Sequence, residues 1–384
     1  MTSNDSANKR QASDHQARPS KRRSRHCKHS RAEPETADPA LPTRAAPSEQ
    51  TDEPRPRAQL KYFQASHFCS YSSSTRKWTQ DAYSDTSPRK TSLKLLTYNI
   101  WSSSPEHTQS QTTAILDVLS RSSADVIALQ EVSKPFEAIL RKEGWVQAEW
   151  ALTSLDEYWK VAGKDGQGKG KKEGKREGIL LMVRKELSFF GECEIGFVKL
   201  KRANNEQAKA LIMLRLFADG VELLRLSTSH FSSLPQNARL RKSQYSIALS
   251  LLNTFPRATH SILLGDFNAS SSTELDLFAA SLVDVGPTPS KAQLSKLASR
   301  EEKRDLEFRH RPTFGALYPL VSLASPKPRK PRRIDRIYLS KGTKQEKYKE
   351  LGGEALVGEK DALGAGGKRY PSDHLAIGVT VEVG

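Results

Sequence analysis

The sequence predicts an α/β protein built from layered strands and helices, and three observations carry that expectation. Leu93-Lys94-Leu95-Leu96-Thr97-Tyr98-Asn99-Ile100, a helically spaced stretch from Thr112 to Leu119, and Asp125 to Val132 read as strand, helix and strand within about 40 residues. Leu211 to Phe217 and Val221 to Ser229 flank Asp219-Gly220, a strong signal for an antiparallel hairpin. Several apolar runs of β-formers then end in, or carry, an isolated Asn, Glu, Asp or His.

In chain order, residues 1–90 are rich in Ser, Pro, Arg, Gln, Asp and Glu without sustained apolar periodicity, and read as a disordered basic tail. Lys9-Arg10 and Lys21-Arg22-Arg23 are separated by about ten residues, the spacing of a bipartite nuclear-import signal. The aromatics of Tyr62-Phe63-Gln64 and Phe68-Cys69-Ser70-Tyr71 stand out in this region without an assignment. Order is expected from near Leu93, in a domain spanning 91–384. Its first strand runs to Ile100, a helix carries Ile115, Leu116 and Leu119 at helical spacing, and a second buried strand ends near Glu131. Residues 160–177, dense in Gly and Lys, form a solvated loop or insertion. Gly178 to Val183 resumes strand character, and the hairpin follows. Asn237 to Leu252 reads as a helix with Leu240, Tyr245, Ala248, Leu249 and Leu252 near one face. Ser261-Ile262-Leu263-Leu264-Gly265-Asp266-Phe267-Asn268 is a strand whose period-2 alternation puts Asp266 and Asn268 on one side and Phe267 on the other. Gly265 permits close approach where a Cβ would obstruct. A helix is expected over Glu274 to Leu282, mostly loop over 287–331, and strands over Arg333 to Leu339 and Leu375 to Val383.

Composition bounds the partners. A net charge of +17 favours a polyanion such as nucleic acid or an acidic membrane surface. The mean hydropathy of −0.62 fits an ordinary domain diluted by a polar tail. Cys27, Cys69 and Cys193 are scattered, without the spacing of a zinc site or a disulfide framework, which fits a reducing compartment. No apolar run reaches the roughly 18 residues of a transmembrane helix. The polar start Met-Thr-Ser-Asn-Asp lacks the apolar core of a signal peptide, so a soluble intracellular protein is expected.

The polar residues on apolar strands are Asn99, Glu131, His230, Asp266, Asn268, Asp335 and the pair Asp373-His374. Burying so many without compensation would cost several kcal/mol, so they must face a cleft, one another or a bound ion. Oxygen donors without a Cys cluster suit Mg²⁺ or Mn²⁺, with Glu131 the leading ligand and Asp373 a second. Asp373 beside His374 suits orientation of that His and stabilisation of its protonated form. Such a set can activate water and hold a phosphoryl oxygen in metal-assisted phosphodiester hydrolysis. Trp145, Trp150 and Trp159 read as packing residues, and Trp101 as a groove wall.

Leu-Thr-Tyr-Asn-Ile at 96–100, Leu-Gln-Glu-Val at 129–132, Ser-His at 229–230, Gly-Asp-Phe-Asn at 265–268, Ile-Asp-Arg-Ile at 334–337 and Ser-Asp-His at 372–374 together resemble the endonuclease/exonuclease/phosphatase superfamily over residues 93–384. The resemblance implies a four-layer α/β sandwich, two packed, mostly antiparallel β-sheets flanked by helices. Leu-Thr-Tyr-Asn-Ile-Trp at 96–101, Thr-Ser-His-Phe-Ser-Ser at 228–233 with Arg241 and Gln244, Arg-Ile-Asp-Arg-Ile-Tyr at 333–338 and Tyr-Pro-Ser-Asp-His at 370–374 look most like its type 2 tyrosyl-DNA phosphodiesterase branch. With the import-like spacing of the tail and the basic charge, that likeness implies a nuclear enzyme (the cytoplasm being a second compartment) acting in DNA repair on DNA ends that carry a protein adduct. It implies that Asn99 and Asn268 position phosphate or water, that Glu131 binds Mg²⁺, and that Asp266 orients or activates the attacking water. His374, held by Asp373, would stabilise the transition state with help from His230, and Asp335 would complete the catalytic set. Trp101, Ser233 and Arg241 would contact substrate. Ser232 stands where the branch has Glu, Leu375 where it has Trp, and Phe314 replaces the Trp of a Thr-Trp-Asp motif. The rival readings are a same-fold apurinic-site endonuclease, RNA deadenylase or phosphoinositide phosphatase, and, from another class, a non-catalytic nucleic-acid-binding protein.

Overall fold

A computed structural model of the chain describes residues 63–80, 91–102, 107–163, 176–190, 192–201, 209–254, 257–319, 329–361 and 364–383. The import-like clusters and most of the Lys/Gly loop lie outside them. The described residues form two packed sheets. One runs β14 (Gln345–Leu351), β15 (Ala376–Glu382), β4 (Ser92–Asn99), β5 (Val126–Ser133), β7 (Glu177–Arg184), β6 (Trp150–Leu152), β2 (Cys69–Ser72) and β3 (Lys77–Gln80). The other runs β1 (Gln64–Ser66), β8 (Glu192–Lys199), β9 (Ala210–Ala218), β10 (Val221–His230), β11 (His260–Asp266), β13 (Asp335–Ser340) and β12 (Leu282–Val285). Each sheet contains one parallel pair, β4 with β5 and β10 with β11, and is otherwise antiparallel.

A parallel pair needs a crossover, and helices supply both. The first is α1 (Gln109–Arg121), which opens with Thr108 and Gln111 capping one another and buries Ile115, Leu116 and Leu119. The second is α5 (Ala238–Leu252), which buries Arg241, Gln244, Tyr245, Ala248, Leu251 and Leu252. The shorter α2 (Lys134–Leu140), α3 (Gly144–Glu149) and α4 (Leu155–Ala162) lie along the segment between β5 and β7.

Strand alternation sorts the side chains into layers. Leu95, Val126, Ala128 and Leu181 from one sheet meet Ile212, Leu226, Ile262, Leu264 and Ile337 from the other in the central core. The intervening Leu96, Tyr98, Ile127 and Leu129 pack outward with Ile115 and Leu119 of α1. On the far side Met213, Leu263 and Phe267 pack with Tyr245 and Ala248 of α5. The four-layer expectation therefore holds.

Four expectations are corrected. Residues 64–80, read from composition as tail, form β1, β2 and β3 and extend both sheets. Phe68 is buried in the central core, and Phe63 fills the space where Gly196 of β8 lacks a Cβ. The helix expected over Glu274 to Leu282 is instead two short 3₁₀ turns, Ser272–Glu274 and Asp276–Phe278, followed by β12, because Glu274 turns inward to pair with Arg241. The span 287–331 is not all loop: α6 (Lys291–Leu294) and α7 (Arg300–Arg309) each begin with a capping box, at Ser290 and Ser299. The loop expected from residue 160 begins later, since α4 continues to Ala162 before Gly163 ends it at φ 111°.

Candidate active site

The inner face of the sandwich turns polar at one end. In β4 the apolar Leu93 and Leu95 give way, two residues at a time, to Thr97 and Asn99. In β5 Val126 and Ala128 give way to Gln130, in β10 Leu224 and Leu226 give way to Thr228 and His230, and in β11 Ile262 and Leu264 lead to Asp266. β13 enters the same place from the other direction with Asp335. Gln130 Nε2 donates to Thr97 Oγ1 at 3.0 Å and approaches Thr228 Oγ1 at 3.5 Å, so a hydrogen-bonded layer floors the charged groups.

Above that floor the groups touch. Asn99, fully buried, donates its amide to both Glu131 Oε1 (2.9 Å) and Asp266 Oδ2 (3.0 Å). Its Oδ1 accepts from the Trp101 backbone N–H at 3.1 Å. Glu131 reaches the site through a bulge. By parity it would share the outer face with Ile127 and Leu129, but the β5–β7 register slips between Leu129 and Val132 and Glu131 adopts φ 55°. The slip turns Glu131 inward and leaves Val132 in the outer core. Trp101 and Asn268 also have φ 50°, so three residues at this rim hold left-handed backbones, at about 1–3 kcal/mol each. Gly265 (φ 138°) lies against the Ser229 carbonyl, where a Cβ would be 2.1 Å from the oxygen. That close approach aligns His230 opposite Asp266 in the parallel register.

Burial raises the pKa of Glu131 above the usual carboxylate range, with Glu177 and Asp373 adding to it against the Asn99 hydrogen bond. Burial and then Asp335 raise Asp266. For His374 burial alone would lower the pKa, but Asp335 and then Asp373 overcome it and hold the ring protonated, up to about 10. Burial, then Lys209 and His374, hold His230 far below its ordinary value. The two histidines are thus pushed in opposite directions.

Asn99, Glu131, His230, Asp266, Asp335 and His374 come together as expected, while three expectations change. His374 Nδ1 donates to Asp335 Oδ2 at 2.8 Å, so Asp335 is the carboxylate that holds His374; Asp373 Oδ1 stands 3.8 Å from Nε2, and Asp373 Oδ2 accepts from Arg329 Nη1 at 2.8 Å. Asn268 does not share a strand face with Asp266, because β11 ends at Asp266. The Asn268 backbone N–H caps Asp266 Oδ1 (2.8 Å) and its Nδ2 donates to the Phe231 carbonyl (3.1 Å), so it braces Asp266. Arg241 cannot meet substrate: it is fully buried in a bidentate pair with Glu274 and donates to the carbonyls of Ser232 and Leu234. Ser233 lies in the β10–α5 loop, half-buried, its carbonyl accepting from Asn237 Nδ2. Trp101 is half-buried and meets the Tyr318 ring edge-on with centroids 5.4 Å apart, which leaves it able to line a groove. Ser232, the departure from Glu, is buried with its N–H and hydroxyl both held by Gln244.

Sequence reasoning gave no site role to several residues that loops deliver. Thr313 Oγ1 accepts from the backbone N–H groups of Ile334 and Asp335 and fixes the start of β13. Phe314 packs on the His374 ring at 5.0 Å, with the guanidinium groups of Arg329 and Arg332 5.2 and 5.6 Å from its ring. Ser372, whose hydroxyl donates to the Asn99 carbonyl, and Phe314, the departure from Trp, lay inside recognised motifs.

Two sets of ligand atoms lie within 4.8 Å of one another among the described residues: Glu131 with His230 and Asp266, and Asp266 with Asp335 and His374. The second is already satisfied as an ion pair through His374 Nδ1. The first fits a hard divalent cation, since it joins a buried carboxylate (Asp266) to a half-buried one (Glu131), and Asp335 Oδ1 and Asp373 Oδ1 nearby accept no hydrogen bond among the described residues. Asp373, the second ligand expected beside Glu131, belongs to neither set, although its Oδ1 accepts no hydrogen bond among the described residues.

The profile of the Endonuclease/Exonuclease/phosphatase family matches residues 96–374, from the Asn99 strand to His374. Among solved structures, D. rerio TDP2 complexed with single strand DNA product is 19% identical with a TM-score of 0.52, covering 76% of this chain and 100% of that one. Humanized D. rerio TDP2 is 18% identical with a TM-score of 0.50, over 76% and 100%. Truncated Caenorhabditis elegans TDP2 is 16% identical with a TM-score of 0.50, over 76% and 98%. These likenesses are of fold. No curated protein matches the chain in sequence.

Proposed function

The chain belongs to the endonuclease/exonuclease/phosphatase family, and from that premise we propose that it is a Mg²⁺-dependent phosphodiesterase, also served by Mn²⁺, that removes a tyrosyl adduct from a 5′ DNA end. The observation that carries the hydrolytic reading is the convergence of Asn99, Glu131, His230, Asp266, Asp335 and His374 at one end of the sandwich interior. Glu131 leads the donors that would hold the cation, which when bound would polarise a phosphoryl oxygen and offset the crowded carboxylates.

The chain's own groups divide the rest of the work. Asp266, made more basic by burial and by Asp335, takes a proton from the attacking water as its oxygen bonds to phosphorus. The phosphorus–oxygen bond to tyrosine breaks, and the phenolate, with an ordinary pKa of about 10, leaves without a strong acid and is protonated by solvent. His374, kept cationic by Asp335, faces the charge that accumulates on the phosphoryl oxygens. Asn99 holds Glu131 and Asp266 at their mutual spacing.

The tyrosyl substrate is supported by the motif likeness at 96–101, 228–233, 333–338 and 370–374, and by an aromatic and cationic rim: Trp101 against Tyr318, and Phe314 with Arg329 and Arg332 beside His374. A solved structure of D. rerio TDP2 with a single strand DNA product shares the fold, and the +17 charge suits a nucleic-acid substrate. We place the enzyme in the nucleus through Lys9-Arg10 and Lys21-Arg22-Arg23; a fluorescent fusion that remains nuclear after alanine replacement of all five refutes that placement.

The test is cleavage of paired oligonucleotides, one with a 5′-phosphotyrosyl end and one with an abasic site, each with Mg²⁺ and with EDTA. Mg²⁺-dependent release of tyrosine leaving a 5′-phosphate is expected. Cleavage at the abasic site alone keeps the chemistry and moves the substrate. Inactivity on both, and on polyadenylate RNA and phosphoinositides, leaves the non-catalytic nucleic-acid-binding reading.

A further inference from the structure

We propose that the outer side of the β12–β13 edge carries an anion site, a pocket that takes one phosphate group and lies apart from the catalytic cleft. Strand alternation places it there. Asp335 faces the sandwich interior, so Arg336 and then Tyr338 face outward, where Tyr338 packs with Phe267 and Phe278. Asp284 of β12 stands opposite Tyr338 in the antiparallel register and shares that face. Arg333, just ahead of β13, reaches the same carboxylate: Arg333 Nη2 and Arg336 Nη1 both donate to Asp284 Oδ2. Gly286, directly after β12, makes room for this, since a Cβ there would lie 1.9 Å from Arg333 Nη1.

The cluster carries more positive charge than its depth favours. The side chains of Arg333 and Arg336 are only 8% and 3% exposed. Arg336 alone would balance Asp284, and Arg333 brings a second positive charge to the same oxygen. Burial holds Arg333 below its ordinary pKa, with Asp284 opposing and Arg336 adding to the effect, and among the described residues Arg333 Nε has no acceptor. These groups line a cavity of about 270 Å³ with Leu275 and Leu282 on its apolar side. The Ser272 hydroxyl and the Tyr338 phenol, which burial keeps protonated, add two O–H donors to that lining. At the mouth Arg304 of α7 is paired with Asp276, and Glu307 stands exposed, where water weakens its field. Guanidinium forks and hydroxyls around a surplus positive charge select a ligand that only accepts, and phosphate matches the fork. The volume falls below the roughly 300–1,000 Å³ of whole small-molecule sites, so it suits one phosphoryl group. A nucleic-acid phosphate and free phosphate share this chemistry. Arg333 and Arg336 also bracket Asp335, which puts a phosphate held here across the sheet from the carboxylate that grips His374.

Thermal unfolding of the full chain in EDTA, with inorganic phosphate against chloride at equal ionic strength, tests the site. Phosphate should raise the Tm of the unsubstituted protein more than that of Ala279→Glu, which sets a carboxylate at the exposed mouth of the pocket. General salt effects and any phosphate in the catalytic cleft are common to both proteins and cancel. Two charge changes on α7 should move the apparent affinity in opposite directions by about twofold to fivefold, weaker in Arg304→Ala and tighter in Glu307→Gln. A cluster that serves only to hold β12 and β13 together would show neither response. The same comparison with oligothymidylate, with and without a 5′-phosphate, separates the sources. A difference from Ala279→Glu with the phosphorylated strand alone assigns a terminal phosphate, with both strands a backbone phosphate, and with neither strand free phosphate. Equal Tm gains in the unsubstituted protein and all three variants with every probe, or shifts of the wrong sign in the α7 variants, overturn the proposal. Should the chain hydrolyse no phosphodiester, the functional reading falls, while these measurements, made without metal or turnover, still decide the anion site.

Discussion

Replacing Gly265 with Ala tests how the site is assembled, since Gly265 contributes no chemistry of its own. The residue sits at φ 138°, and an added Cβ would lie 2.1 Å from the Ser229 carbonyl oxygen, where real contacts do not fall under 3.0 Å. The obstructing atom is backbone, so no side chain can swing away; β10 and β11 must part by roughly 1 Å. A side chain at such a backbone costs about 1–3 kcal/mol, and overpacking against a strand about 1–3 more. A loss of about 2–6 kcal/mol from a typical total of about 5–15 leaves a folded but weakened protein at low temperature. Activity should suffer separately, because Ser229 pairs with Gly265 and His230 with Asp266, so the parting moves His230 from Asp266. A misplacement of that size is worth about a hundredfold in rate. Urea unfolding with hydrolysis of bis(p-nitrophenyl) phosphate at 10 °C reads both effects. A Gly265→Ala protein of unchanged stability and rate would refute the claim that this contact sets the register of the site.

Three further outcomes follow from the same geometry. Glu131→Gln should keep the fold and lower hydrolysis by a factor of about a hundred or more while weakening Mg²⁺ dependence, which a metal titration of activity measures; full activity in this variant would remove Glu131 from the metal site. His374→Gln should cost about 3–5 kcal/mol near neutral pH by stranding Asp335. Because pairing raises the folded-state pKa of His374 from 6.5 to about 10, that stabilisation is complete below pH 6.5 and fades as pH climbs through 10, so unfolding curves in EDTA should converge with the parent at alkaline pH; a gap that widens with pH would contradict the pairing. Arg241→Lys should lose about 3–5 kcal/mol through the broken bidentate pair with Glu274 yet leave KM unchanged, and a raised KM would return Arg241 to the substrate groove.

What could be read from the sequence was what periodicity encodes. The strands around Asn99, Glu131, Asp266 and Asp335 stand out because long apolar runs stop at a polar residue, and the Asp219-Gly220 turn announces its hairpin. β14 and β1 were missed because edge strands join a sheet through backbone: Gln345-Glu346-Lys347 and Gln64-Ala65-Ser66 show little apolar alternation. The false helix at 274–282 arose because Leu275, Phe278 and Leu282 mimic helical spacing while packing from two turns and a strand. Within the site, adjacency misled. Asp373 precedes His374 in the chain, but its Oδ2 is held by Arg329 and its Oδ1 stands 3.8 Å from the ring, while the carboxylate bonded to His374 Nδ1 comes from β13. Lys209, Thr313, Arg329 and Arg332 carry no periodic signal because irregular segments deliver them.

The placement of charge along the strands explains why one sandwich can be both dry and reactive. Each inner face passes from aliphatic to hydroxyl or amide to charged, as in Leu95, Thr97 and Asn99 or Leu226, Thr228 and His230. The middle layer, Gln130 bonded to Thr97 and reaching Thr228, offers oriented dipoles to carboxylates that would otherwise rest on hydrocarbon. Without it, burial would push Glu131 and Asp266 further toward the neutral acid, which binds no cation and accepts no proton from water. The two parallel pairs make this graded end possible, since only parallel neighbours finish together: β4 beside β5 brings Asn99 near Glu131, and β10 beside β11 brings His230 level with Asp266. Packing the two sheets face to face then closes the constellation through the amide of Asn99, which spans from Glu131 in its own sheet to Asp266 in the other.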